Sequence, residues 1–113
     1  MREIKIGDQI VRVRATPLAL LFYKKEFKSD LLGDLTKMQA VESDLSSIDA
    51  LALLQLAWAM AKADAFKGSS DFPSFETWLG TLEVVDIADP EFFAPLVEEA
   101  TAGFFRSAKG NKK

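Results

Sequence analysis

The sequence contains neither cysteine nor histidine. Without thiols it can form no disulfide and no thiolate metal site, and without imidazole it lacks the commonest general base and a leading transition-metal ligand. A long hydrophobic run is missing too: the most apolar stretch, Ala50 to Ala61, is 12 residues interrupted by Gln55, whereas a bilayer span needs about 20. That stretch reads as a buried helix and not as a membrane anchor. The start Met1-Arg2-Glu3-Ile4-Lys5 has no long apolar segment of the secretory type, so the expected compartment is a cytosol. No loop has phosphate-cradling glycines, since Gly68-Ser69-Ser70 lacks the Gly-Lys-Ser/Thr ending.

What is present is apolar bulk. Within 113 residues, 49% are hydrophobic, including nine phenylalanines and two tryptophans. This suffices for one core, and the expected organisation is a single domain over residues 1–106 followed by a disordered basic tail, 107–113. The net charge of -3 is unevenly spread. Residues 1–28 carry a local balance of +4, residues 29–106 one of -10, and the tail adds three lysines. A basic end and an acidic body can attract each other within one copy or between copies.

Ile4 and Ile6, then Val11 and Val13, alternate with charged residues around Gly7-Asp8, the pattern of a β-hairpin with a two-residue turn. That register places Ile4, Ile6, Val11 and Val13 on one face, sets Glu3 opposite Arg12, and leaves Ile10 alone on the charged face. Gly7 should accept asparagine better than valine, because asparagine more readily takes a positive φ. Thr16-Pro17 predicts a capped helix from Pro17 to about Lys28, with Leu18, Leu21 and Phe22 as its apolar stripe and Leu20, Tyr23 and Phe27 widening it. Asp30 predicts the cap of a short helix, Leu31 to Met38, despite Gly33. A polar loop over 39–47 and a cap at Ser46 or Ser47 precede a long helix to about Phe66, apolar nearly all round. A flexible loop, Lys67 to Asp71, follows. Ser74 then caps a short helix with Phe75, Trp78 and Leu79, and Asp89-Pro90 starts a last one through Phe93, Leu96, Val97, Ala100 and Phe104. Pro95 should break or kink it. The expected fold is α+β and mostly helical: an N-terminal two-stranded β-hairpin packed on four to five helices.

Carboxylates are the remaining chemical groups. Asp30 and Asp34 stand one helical turn apart, which suits a hard cation or simply a solvated face; Asp86 with Asp89 suits a turn and a cap. No catalytic, cofactor-binding or metal-ligating residue is assigned, and the chain reads as a binding module and not an enzyme. The aromatic surplus points to a hydrophobic partner surface at Trp58, Phe75 and Trp78. The charge division points to head-to-tail self-association into a homo-oligomer, with Arg12 and Arg14 against Glu83, Asp86, Glu98 and Glu99. Phosphate contacts by Lys5, Arg12, Arg14 and the lysines of the first helix form a weaker alternative, opposed by the acidic balance and by the lack of an exposed aromatic on the ribbon.

The order of parts resembles the tail assembly chaperones of long-tailed, siphovirus-type bacteriophages and prophages. The resemblance is carried by the hairpin Ile4 to Arg14, by Thr16-Pro17-Leu18-Ala19-Leu20-Leu21-Phe22-Tyr23-Lys24-Lys25-Glu26-Phe27, and by Asp30-Leu31-Leu32-Gly33-Asp34-Leu35. Ala57-Trp58-Ala59-Met60-Ala61-Lys62 and Phe75-Glu76-Thr77-Trp78-Leu79 complete it, over about residues 3–106. It implies a protein of the infected host's cytoplasm, absent from the mature virion, that binds the tape measure protein and keeps it soluble. It also implies a longer product made by translational frameshifting, whose extension recruits tail tube protein. A small structural protein of the tail or head-tail joint is the alternative, with a nucleic-acid-binding module behind it.

Overall fold

In the computed structural model, which describes residues 2–40, 50–66, 72–85, 89 and 91–104, the alternating N-terminal residues form strands β1 (Arg2–Ile6) and β2 (Gln9–Val13). They pair antiparallel in the expected register, Glu3 opposite Arg12 and Ile4 opposite Val11. Ile4, Ile6 and Val13 are buried and Val11 is half-buried, while Ile10 is 61% exposed on the other face. Gly7 has φ 60° and Asp8 has no positive φ, the pattern of a type II′ turn, in which only the first central residue needs glycine's freedom. The preference expected for asparagine over valine at this position rests on the angle alone, and space limits both. Any Cβ on Gly7 would collide with the main-chain carbonyl of Val84, so asparagine satisfies the angle and still does not fit.

Helix α1 (Pro17–Phe27) begins at the proline and ends at Lys28, whose left-handed φ of 56° lets its N–H return to the Lys24 carbonyl at 2.9 Å. Its buried face differs from the expected stripe: Ala19, Phe22 and Tyr23 are inside, Phe27 is half-buried, and Leu21 is 50% exposed. The rings decide the orientation, because each aromatic buries more apolar area than a leucine. Thr16 also departs from expectation. It occupies the cap position, yet its hydroxyl makes no capping bond and is buried without a partner. Pro17 supplies no N–H, so the first turn has one fewer donor to satisfy.

Helix α2 (Leu31–Ala40) is longer than expected, and Gly33 does not end it. Asp30 caps it, accepting from the Leu32 N–H at 3.3 Å. Helix α3 (Ala50–Ala65) is the centre of the molecule, packed on α1, β2 and helix α4 (Phe75–Gly80). Leu53, Leu56, Ala57, Trp58, Ala59, Met60, Ala61 and Ala63 are all buried. Ser74 caps α4 as expected, its Oγ accepting from the Thr77 N–H at 3.3 Å.

Helix α5 (Phe93–Phe104) packs on β1 and α2. Asp89 Oδ1 accepts from the Glu91 N–H at 2.9 Å, forming the expected turn before it. Pro95 produces no interruption in the helix from Phe93 to Phe104. It is the third residue of α5, and the Glu91 carbonyl that an N–H at this position would have bonded accepts from the Lys5 N–H at 3.0 Å instead.

Every element contributes to one cluster of buried residues, from Ile4 and Val13 through Phe22, Leu31, Leu53 and Trp78 to Leu96 and Ala100. Among the described residues no helix is long and apolar enough to cross a membrane. The loop over 39–47 beyond Ala40, the Ser46/Ser47 cap, the Lys67 to Asp71 loop, Asp86, Pro90 and the 107–113 tail lie outside the described residues.

Ile6→Asp should destabilise the fold by about 3 kcal/mol or more, since it removes apolar burial and buries an unpaired carboxylate. Val11→Asp should cost less, because Val11 keeps contact with solvent. Urea denaturation of both variants checks the order, and equal losses would show that the two positions are not differently covered.

Candidate partner-binding surface

Of the three aromatic residues expected to form an exposed surface, two lie inside the protein and one is partly covered. Trp58 is 1% and Trp78 6% exposed, and Phe75 is half-buried. Phe27 meets Trp58 edge-on at 5.5 Å between ring centroids and Phe75 at 4.9 Å, while Phe75 stacks on Trp78 at 6.4 Å. The Trp58 indole N–H donates to the Pro73 carbonyl at 3.1 Å. A tryptophan is buried comfortably only when that N–H has an acceptor, and here the loop before α4 supplies one. The cluster therefore joins α1, α3 and α4.

The charge division is likewise met within one copy. Asp64, near the end of α3 and with its side chain 11% exposed, receives Arg14 Nε at 3.1 Å and Arg12 Nε at 3.4 Å. Arg2 reaches Glu98 at 3.0 Å, and Glu99 accepts from the backbone N–H of Ala15 at 3.1 Å. Arg12, Arg14, Glu98 and Glu99, expected to meet across copies, thus tie the hairpin to α3 and α5. The reason is proximity, because folding the hairpin back onto the helices brings the basic end onto the acidic body. Glu83 is exposed beside the hairpin turn, lining a small depression with Ile6, Asp8, Gln9 and Val84. Asp86 lies outside the described residues.

Asp30 and Asp34 serve separate structural tasks. Asp34 Oδ2 accepts from the hydroxyls of Tyr23 and Ser29, each at 2.8 Å, and Tyr23 also lies 3.3 Å from Gln55 Oε1. Tyr23 is thereby buried with its hydroxyl served, a network the sequence did not suggest. Asp64 was missed as well, although a lone acid closing an otherwise apolar helix was a usable signal.

Apolar surface does remain exposed, at different places from those expected: Ile10, Leu21, Leu51, Phe66, Val84 and Val85. Phe66 borders a depression of about 550 Å³ where the start of α1 meets the end of α3, together with Pro17, Leu18 and Ala63 and, at its polar side, Arg14, Thr16 and Asp64. Leu21 stands one turn along α1 from Leu18, so the apolar strip continues beyond the depression. Compared with protein-family models, with curated proteins and with solved structures, the chain has no match in any of the three.

Asp64→Asn should lower stability by about 1–2 kcal/mol, the usual loss for charge-assisted hydrogen bonds to partly exposed partners. The gap between variant and parent in urea melts should narrow as salt approaches 1 M, where screening is strongest. Fluorescence checks the aromatic cluster: both tryptophans should emit blue-shifted and resist quenching by iodide in the native protein. Ready quenching of either would show that it faces solvent.

Proposed function

We propose that this protein is a tail assembly chaperone of a long-tailed bacteriophage or prophage, which works in the host cytoplasm by binding the tape measure protein and keeping it soluble. The observation that carries the reading is the distribution of side chains. Among the described residues no charged residue is buried, whereas several large apolar ones, Leu21 and Phe66 among them, stand exposed. Such a surface suits the capture of an apolar partner face better than chemistry in a cleft. The order of parts that carries the family resemblance, a hairpin followed by an all-round apolar helix and an aromatic short helix, is also the order seen in the fold.

A tape measure protein is long and helical, so helix-in-groove docking is the mode to expect. The strip formed by Leu18, Leu21 and Phe66 replaces Trp58, Phe75 and Trp78 as the place for it. A longer frameshifted product that recruits tail tube subunits belongs to the same reading. Arg2, Arg12 and Arg14 are held by carboxylates of the same chain, which favours a protein partner over nucleic acid.

Co-expression with the tape measure gene of the same genome tests the proposal. The tape measure protein should move from pellet to supernatant in the presence of this chain, and Leu21→Glu, at a half-exposed position, should return it to the pellet while leaving the melting temperature near that of the parent. Equal insolubility with and without the chain would overturn the reading.

A further inference from the structure

The hairpin's two outer edges are treated differently by the rest of the chain. In a two-residue hairpin whose turn is flanked by Ile6 and Gln9, the main-chain groups of Gln9, Val11 and Val13 face β1, and those of Ile10 and Arg12 point away from it. The β1 edge is closed where the Lys5 N–H donates to the Glu91 carbonyl at 3.0 Å, and the far end of β2 is closed where the Arg14 N–H donates to the Met60 carbonyl at 3.0 Å. Between Gln9 and Arg14, the outward N–H and C=O groups of Ile10 and Arg12 have no hydrogen-bond partner among the described residues. The same stretch carries Ile10, at 61% the most exposed large hydrophobic of those residues. An open edge beside an exposed isoleucine is a template for another strand.

We infer that this edge pairs with the same edge of a second copy, β2 against β2 antiparallel about a two-fold axis, to make a four-stranded sheet across the dimer. Charge selects the occupant and the register. With the axis at Ile10, each Ile10 covers its mate, and each Arg12 comes opposite the other copy's Asp8, which is exposed and has no ion pair among the described residues. Shifting the axis to Arg12 would set the two guanidinium groups face to face, an unfavourable cross-strand pair. Placing it at Val11 would put each Ile10 against an arginine and Asp8 opposite Arg14, whose outward N–H and guanidinium are already held by Met60 and Asp64. Only the first register buries the exposed isoleucine and pairs opposite charges at once, and it is self-complementary, as a two-fold contact requires. Arg12 need not abandon Asp64, because its guanidinium has donors besides the Nε used there. This contact stands independently of any tape measure partner.

Sedimentation velocity over a wide concentration range tests the inference on the full chain. The parent should shift from monomer to dimer as concentration rises. Ile10→Lys should stay monomeric at every concentration with an unchanged melting temperature, since the side chain contributes little to the monomer's core. Asp8→Lys should weaken dimerisation several-fold. The natural absence of cysteine makes crosslinking clean: Ile10→Cys should form a disulfide dimer under mild oxidation, and Glu3→Cys, on the same face but on the other strand, should not. A parent that is monomeric throughout overturns the proposal and leaves the edge to a strand of some other chain. A dimer indifferent to Ile10→Lys, or equal crosslinking through the two cysteines, overturns it as well.

Discussion

The structure depends on the need to cover α3 on nearly every side. A helix with this many leucine, alanine, tryptophan and methionine side chains has no face that prefers water, so other elements must surround it. The hairpin lies along one side, α1 along another and α4 on a third. Its polar residues are used as fastenings. Gln55 meets the Tyr23 hydroxyl of α1, the Lys62 ammonium lies 4.6 Å from the Phe22 ring centroid and 5.1 Å from that of Trp58, and Asp64 holds β2 through two arginines. Each polar side chain thus sits where a neighbour must be oriented, while the apolar ones supply the driving force.

How much of this was legible in the sequence follows from the range over which each feature is determined. The hairpin register could be read because alternation and a glycine turn are local, and they fix each other. The Ser74 cap and the Asp89 turn were readable for the same reason. The fate of Trp58, Phe75 and Trp78 was not: composition shows a surplus of rings, and only the packing of Phe27 against both Trp58 and Phe75 shows that they satisfy one another. Arg12 and Arg14 are legible as a basic pair but their partner within the chain is not, because Asp64 is 50 residues away from Arg14 in sequence and looks like an ordinary helix end. Pro95 was read as a kink, since its effect depends on where the helix starts and that boundary is among the least determined by pattern. The constraint on Gly7 combined a local angle with a distant carbonyl, and only the angle was visible.

Two close approaches of the backbone limit how the outer pieces can vary. Gly7 lies against the carbonyl of Val84, and Gly103 of α5 lies against Ala15, with any added Cβ 2.7 Å from the Ala15 oxygen. These contacts hold both ends of the hairpin at fixed heights, the turn on the segment after α4 and the exit on the end of α5. Side chains on the outer face of the sheet are free of such limits, so selection for partners or for solubility can act there without disturbing the core.

The bonds from Lys5 to Glu91, from Arg2 to Glu98 and from Ala15 to Glu99 join residues near opposite ends of the described chain. During synthesis the strands emerge from the ribosome well before the residues that close over them. Translation proceeds at about 5–20 residues per second, so the oily side of the hairpin waits seconds before α5 arrives to complete its cover. Over that interval one face of the nascent hairpin stays apolar and uncovered, free to rest against the ribosome surface or a holding factor of the cell. Synonymous codons that slow elongation between α1 and α5 would lengthen the exposure without changing a single side chain.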